Sequence, residues 1–340
     1  MRAYAHILSA ACMAVALAAC APTEHKPAEP PLSWPSAPSS ARIAWVNAFA
    51  TPEDLGISKG FFQRAAEFLF GAPNSRLIRP MAVVALDQVI YVADPGARGI
   101  HRFDPRRRDY ALIQAPDGQP LPSPVGMALG AKGEVYVADS ELARVFVIRP
   151  GATFAAPLAL QAELHQPTAL AFAPESGRLF VVEAAAHRVA IFNADGTLAQ
   201  TVGTRGAGDG EFNFPTHIWR SGAGRLYVAD SLNFRVQILD EQGTFVSKFG
   251  KQGDALGDIA REKGVATDQF GHVYVMDGIL NAMQIFDDQG RLLLALGGQG
   301  DDRGEFWLPT GIFIGEDDMI YIADSYNRRV QVLRYIGGPA

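Results

Sequence analysis

The sequence predicts an all-β protein built as one six-bladed β-propeller, on three observations. A strand core of the form Tyr/Phe-Val/Ile-x-Asp/Glu recurs six times, starting at Tyr91, Tyr136, Phe180, Tyr227, Tyr274 and Tyr321. The steps between those positions are 45, 44, 47, 47 and 47 residues. Each unit divides into short β-branched and aromatic runs bounded by Gly, Pro, Asn or Asp, the sequence form of a four-stranded blade. An even period of this length argues against a sandwich. The 34 glycines and the β-branched strands argue against a helical solenoid.

The elements follow in chain order. Arg2 precedes an apolar run from Ile7 to Ala19, too short to span a bilayer comfortably and suited to a signal-peptide core. The run ends in Leu17-Ala-Ala-Cys20, which resembles the lipobox of bacterial lipoproteins. The resemblance implies a signal peptide over residues 1–19, a lipidated Cys20 and attachment to the membrane through it. Two or three acyl chains hold such an anchor stably where one does not. Ala21, with no aspartate after the cysteine, implies the outer membrane, with the domain facing the periplasm or the cell surface. Cys12 and Cys20 are the two cysteines, so the folded body has no thiol chemistry. Residues 20–41 form the lipidated end and a tether. Its prolines at 22, 27, 30, 31, 35 and 38 favour an extended chain without a core.

Residues 42–340 are expected to form the propeller. The last repeat supplies strands near 310–314, 319–323 and 330–335 and then runs out of chain. Arg42 to Phe49 forms an orphan strand and is expected to complete the last blade, removing two open edges. Ser58 to Phe70 reads as a short inserted helix, with Ser58 as N-cap, Gly71 as stop and Phe61, Phe62, Ala65, Phe68 and Leu69 as its apolar stripe. It is expected to pack on the face bearing the second-to-third-strand loops, called the top face below.

Two segments carry a family resemblance. Tyr227-Val-Ala-Asp-Ser-Leu-Asn-Phe-Arg-Val-Gln-Ile-Leu and Tyr321-Ile-Ala-Asp-Ser-Tyr-Asn-Arg-Arg-Val-Gln-Val-Leu resemble NHL repeats, as do the linkers Gly203–Pro215 and Gly297–Pro309. The resemblance spans about 79 to 336 and implies the six-bladed NHL fold. Pro80, Pro124, Pro167, Pro215 and Pro309 open their units, whereas the fifth unit has Glu262 there. The fifth unit also has Ala282, and the first Gly99, where arginine is expected.

An acidic residue and an arginine lie five apart in four units: Asp139 with Arg144, Glu183 with Arg188, Asp230 with Arg235, and Asp324 with Arg329. Such a pair flanks one tight loop, so each is expected to be a charge-assisted structural clasp.

Functional chemistry is sparse. The net charge of −6 opposes nucleic-acid binding, although some NHL domains bind RNA. Arg106-Arg107-Arg108 reads as a solvated turn. No nucleophile elbow, zinc-protease helix or phosphate loop is present. The architecture resembles six-bladed lactonases and lyases that hold a metal at the top of the channel. In this chain the corresponding slot, two residues after the opening proline, reads Ala82, Gly126, Ala169, His217, Gly264 and Gly311. One imidazole does not make a metal site, so no metal or cofactor is expected and His217 is expected to be a hydrogen-bonded channel residue. The top-face loops place Leu232, Phe234, Ile279, Leu280, Tyr326 and Arg328 at their tips, a pattern of protein or peptide partner surfaces. The expected function is a membrane-displayed binding or scaffold module, with a metal-dependent lyase or lactonase as the alternative.

Overall fold

A computed structural model describes residues 30–36, 38–58 and 75–337. The chain forms an all-β six-bladed propeller. Five blades have four antiparallel strands each, and the sixth has five. Blade one comprises Ala82–Leu86, Val89–Asp94, Gly99–Asp104 and Asp109–Ile113. Blades two, three, four and five begin at Pro124, Pro167, Pro215 and Glu262, and blade six at Ile312. The first strands of successive blades touch around the ring, and Ile312–Ile314 touches Ala82–Leu86 to close it.

Burial of the central strands on both faces explains why the blades stand side by side. A strand buried on both faces reads as a near-continuous apolar run, and Val273–Asp277 is buried at every position. The buried clusters do not belong to single blades. One joins Phe180 and Ile191 of blade three to Val228 and Leu239 of blade four. Another joins Val236 of blade four to Val275 and Phe286 of blade five. A third joins Tyr274 of blade five to Ile322 and Leu333 of blade six. Each blade therefore completes its core only against its neighbours, as repeat architectures require.

Closure comes from the two ends of the chain. Ile43–Phe49 pairs antiparallel with Arg329–Tyr335, from Ile43 opposite Tyr335 to Phe49 opposite Val330. The register shifts once, between Trp45 and Asn47. Ser33–Trp34, inside the stretch expected to be tether, adds a short fifth strand against Ile43 and Ala44. Trp34 packs on the cluster shared by blades five and six, which draws these residues onto the propeller. The signal peptide, Cys20 and most of the helix expected from Ser58 to Phe70 lie outside the described residues.

The linkers between blades are folded as tightly as the blades. In three of them a residue of the linker pairs in parallel with the residue seven positions on: Arg205 with Phe212, Gln252 with Ile259, Gln299 with Phe306. The fully buried Phe212, Ile259 and Phe306 anchor these loops in the core. The carboxylates of Glu211 and Glu305 fold back over Gly206 and Gly300 and would have to shift to admit a Cβ there.

Candidate functional site

At the top end of every second strand sits a fully buried carboxylate: Asp94, Asp139, Glu183, Asp230, Asp277 or Asp324. Burial of a charge is tolerable only where donors surround it. In blade four, Asp230 accepts hydrogen bonds from the Asn213 N–H at 2.6 Å, Asn233 Nδ2 at 2.9 Å, Arg235 Nε at 2.7 Å and Gln237 Nε2 at 3.1 Å. The Arg235 guanidinium continues to the carbonyls of Ala207, Gly208 and Glu211. Blade six repeats the network with Asp324, Asn327, Arg329 and Gln331. Arg188 meets Glu183 at 2.6 Å in blade three. These networks tie each linker to the loop it crosses.

Blade two departs from that pattern. The Arg144 side chain is exposed and makes no ion pair with Asp139 among the described residues. Asp139 instead accepts the N–H groups of Ser123, Glu141 and Leu142. The expected clasp is absent there although the spacing is the same. Blade one uses another substitute. His101 lies 3.5 Å from Asp94 and shares a 2.9 Å contact with the Tyr110 hydroxyl. Two sequence signals for these networks went unread: glutamine or histidine seven residues after the acid (His101, Gln237, Gln284, Gln331), and asparagine three after it (Asn233, Asn327).

The channel slot is closely packed at its glycines. A Cβ at Gly126 would lie 2.5 Å from the Thr168 carbonyl, and one at Gly311 2.6 Å from the Met81 carbonyl. These positions are small because the first strands of adjacent blades press together there. Glycine and alanine present no ligand there, and Ala82, Gly311 and His217 line the inner cavity. His217 accepts the Val265 N–H on Nδ1 at 3.3 Å, which bridges blades four and five. Deep placement in the ring pushes its imidazole down to about 4. A cavity of about 160 Å³ lies beside it, lined by Val84, Leu129, Phe172, Trp219 and Phe313. Among the described residues, no three His, Cys, Asp or Glu side chains are grouped to hold a metal ion. The donor set therefore does not fit the metal centre of a lyase or lactonase.

The other cavity on the axis opens at the top face and measures about 410 Å³. Ile279 and Tyr326 line it. Leu232 and Arg328 are exposed elsewhere on the top-face loops, and Phe234 and Leu280 are half-buried at their loop ends. His217 lines the inner cavity instead. Trp307 was not singled out in the sequence, yet it is 45% exposed and stacks obliquely on Tyr326 at 5.8 Å. Its N–H donates to Asp324 at 2.8 Å, so the buried carboxylate also fixes this aromatic pair.

Blade five supplies an uncommitted acid. Glu262 is fully buried, and among the described residues neither carboxyl oxygen has a hydrogen-bond partner. Burial pushes its carboxyl up to about 8, with Asp277 and Asp230 adding to the rise. Burial therefore favours its protonated form.

The sequence matches no family model and no curated protein. Similarity appears in three dimensions. A virginiamycin B lyase from Staphylococcus aureus superposes with a TM-score of 0.56 at 13% identity, over 76% of this chain and 95% of that one. A gluconolactonase from Xanthomonas campestris gives 0.58 at 14% identity, over 92% and 99%. An auxiliary nutrient binding protein from Bacteroides thetaiotaomicron gives 0.61 at 12% identity, over 78% and 71%. At such identities the similarity establishes the propeller fold alone.

Proposed function

We propose that the chain is an NHL-type lipoprotein propeller, held at the outer membrane through Cys20, that binds a protein or peptide partner on its top face. The observation that carries this reading is the top-face cavity. It gathers Ile279 and Tyr326 from the loops of two blades, and Tyr326 stacks on Trp307. Exposed aromatic side chains on well-anchored loops are the usual anchors of partner surfaces. The similarity to a nutrient binding protein is consistent with a binding role. The Leu17-Ala-Ala-Cys20 motif and the proline-rich stretch after it support display from a membrane. The catalytic alternative draws only on similarity to a lyase and a gluconolactonase, and the channel here offers a single imidazole.

Crosslinking in intact envelopes tests the reading. The native chain should give a defined adduct, and Trp307→Ala with Tyr326→Ala should abolish it at unchanged melting temperature. Cys20→Ser should move the protein from the membrane to the soluble fraction. An adduct unaffected by the double substitution would overturn the top-face assignment.

A further inference from the structure

The top-face cavity is edged by three cations in a chain whose net charge is −6. Arg79 comes from the entry to blade one, and Arg261 and Lys263 from the entry to blade five. Blade six, between them, contributes Leu308 and Tyr326. The main chain at both arginines is held in place, because the Arg79 backbone N–H donates to Asp94 at 2.9 Å and the Arg261 backbone N–H to Asp277 at 2.9 Å. Their guanidinium groups and the Lys263 ammonium make no side-chain hydrogen bond or ion pair among the described residues.

Lys263 stands where blades two to four and six place Val125, Thr168, Thr216 and Thr310. Its stem takes room that a side chain at position 278 would need: a Cβ there would lie 3.0 Å from Lys263 Cγ. In blades four and six the matching position is a serine, Ser231 or Ser325. Burial and then the neighbouring Arg261 push the Lys263 ammonium below its usual range, as unneutralised cations facing one another should. The adjacent Glu262 carboxyl offsets part of that fall, and its own burial favours the protonated form. Arginine forks and an ammonium beside an apolar wall match a carboxylate next to an apolar side chain.

We propose that Arg79, Arg261 and Lys263 make this mouth a site for the carboxylates of an acidic, apolar peptide segment, with Ile279, Leu308 and Tyr326 taking its apolar side chains. The inference rests on the partner-binding reading above and specifies its chemistry.

The test uses the whole secreted chain and three probes in calorimetry and saturation-transfer NMR: an acetylated peptide of alternating Glu and Leu, its Gln–Leu counterpart, and free phenylbutyrate. The Glu–Leu peptide should bind at least about tenfold more tightly than the Gln–Leu peptide. Arg261→Gln with Lys263→Gln should erase that preference at unchanged melting temperature, and added salt should weaken it. Equal binding of both peptides, lost in Tyr326→Ala, would overturn the carboxylate assignment and leave the top-face reading standing. Charge-dependent binding of phenylbutyrate alone would keep the anion site and overturn the peptide as its source. No binding of any probe would overturn the inference, while the envelope crosslink tests the broader reading separately.

Discussion

Blades four and six differ from blade five in how they use the same framework. In blades four and six the buried aspartate, the asparagine three residues on, the arginine five on and the glutamine seven on are bonded to one another or to the preceding linker. Blade five keeps the aspartate and the glutamine: Asp277 accepts four backbone N–H groups, and Gln284 bonds Gly257 and Asp258. It has Leu280 and Ala282 in place of asparagine and arginine, and Glu262 in place of the opening proline. Where the repeat is kept, polar groups are consumed by the architecture. Where it is broken, polar and charged groups stay available beside the mouth.

The largest effect should come from removing a hub. Asp230→Ala leaves the buried Arg235 without its counter-charge and strands the donors of Asn233 and Gln237. A loss of about 3–5 kcal/mol in denaturant unfolding is expected, from the uncompensated buried charge. A loss no larger than that of an exposed substitution would break the account of blades four and six.

Glu262 tests the other side of the comparison. Its folded-state value, about 8, lies above that of an ordinary carboxyl. Between those two values the folded chain holds a proton that the unfolded chain releases. Stability should therefore fall as pH rises through that window, on the order of 3 kcal/mol between pH 5 and 8. Glu262→Gln should remove this slope in melting curves taken across the same range. An unchanged slope would show that Glu262 is not the group responsible.

The smallest effect is a gain. Ala282→Arg places a guanidinium beside Asp277 and the carbonyls of the preceding linker, copying Arg235. A stabilisation of about 1 kcal/mol, the net worth of a charge-assisted hydrogen bond, should appear in the same unfolding assay.

Much of the fold was legible in the sequence because its signals are local and repeated. Six Tyr/Phe cores at a steady step, with glycine turns between, predict blades. A last unit short of one strand together with an orphan strand at Ile43–Phe49 predicts the closure. The clasps were partly legible. Arg235 and Arg329 reach their linkers because Gly206–Gly208 and Gly300–Asp302 present carbonyls to them. Arg144 has the same spacing but makes no ion pair with Asp139 among the described residues, so spacing alone does not make the clasp. The slot around His217 was legible as a channel position with a hydrogen-bonded imidazole, and His217 lies at the inner cavity bonded to the Val265 N–H; only the approach of the next blade shows how tightly its glycines are packed. The cations at the mouth were invisible, because Arg79 and Arg261–Lys263 lie far apart in the chain and none belongs to the repeat.

The sequence by itself determined the number of blades, the seam at which the ring closes and the residues that end each second strand, because periodicity and strand count are properties of the chain read in order. Only the tertiary structure decided which charges are consumed and which remain free. Whether Arg235 or Arg261 has a partner depends on the carbonyls and carboxylates that neighbouring blades bring within about 3 Å, the reach of a hydrogen bond. That proximity is created by closing the ring.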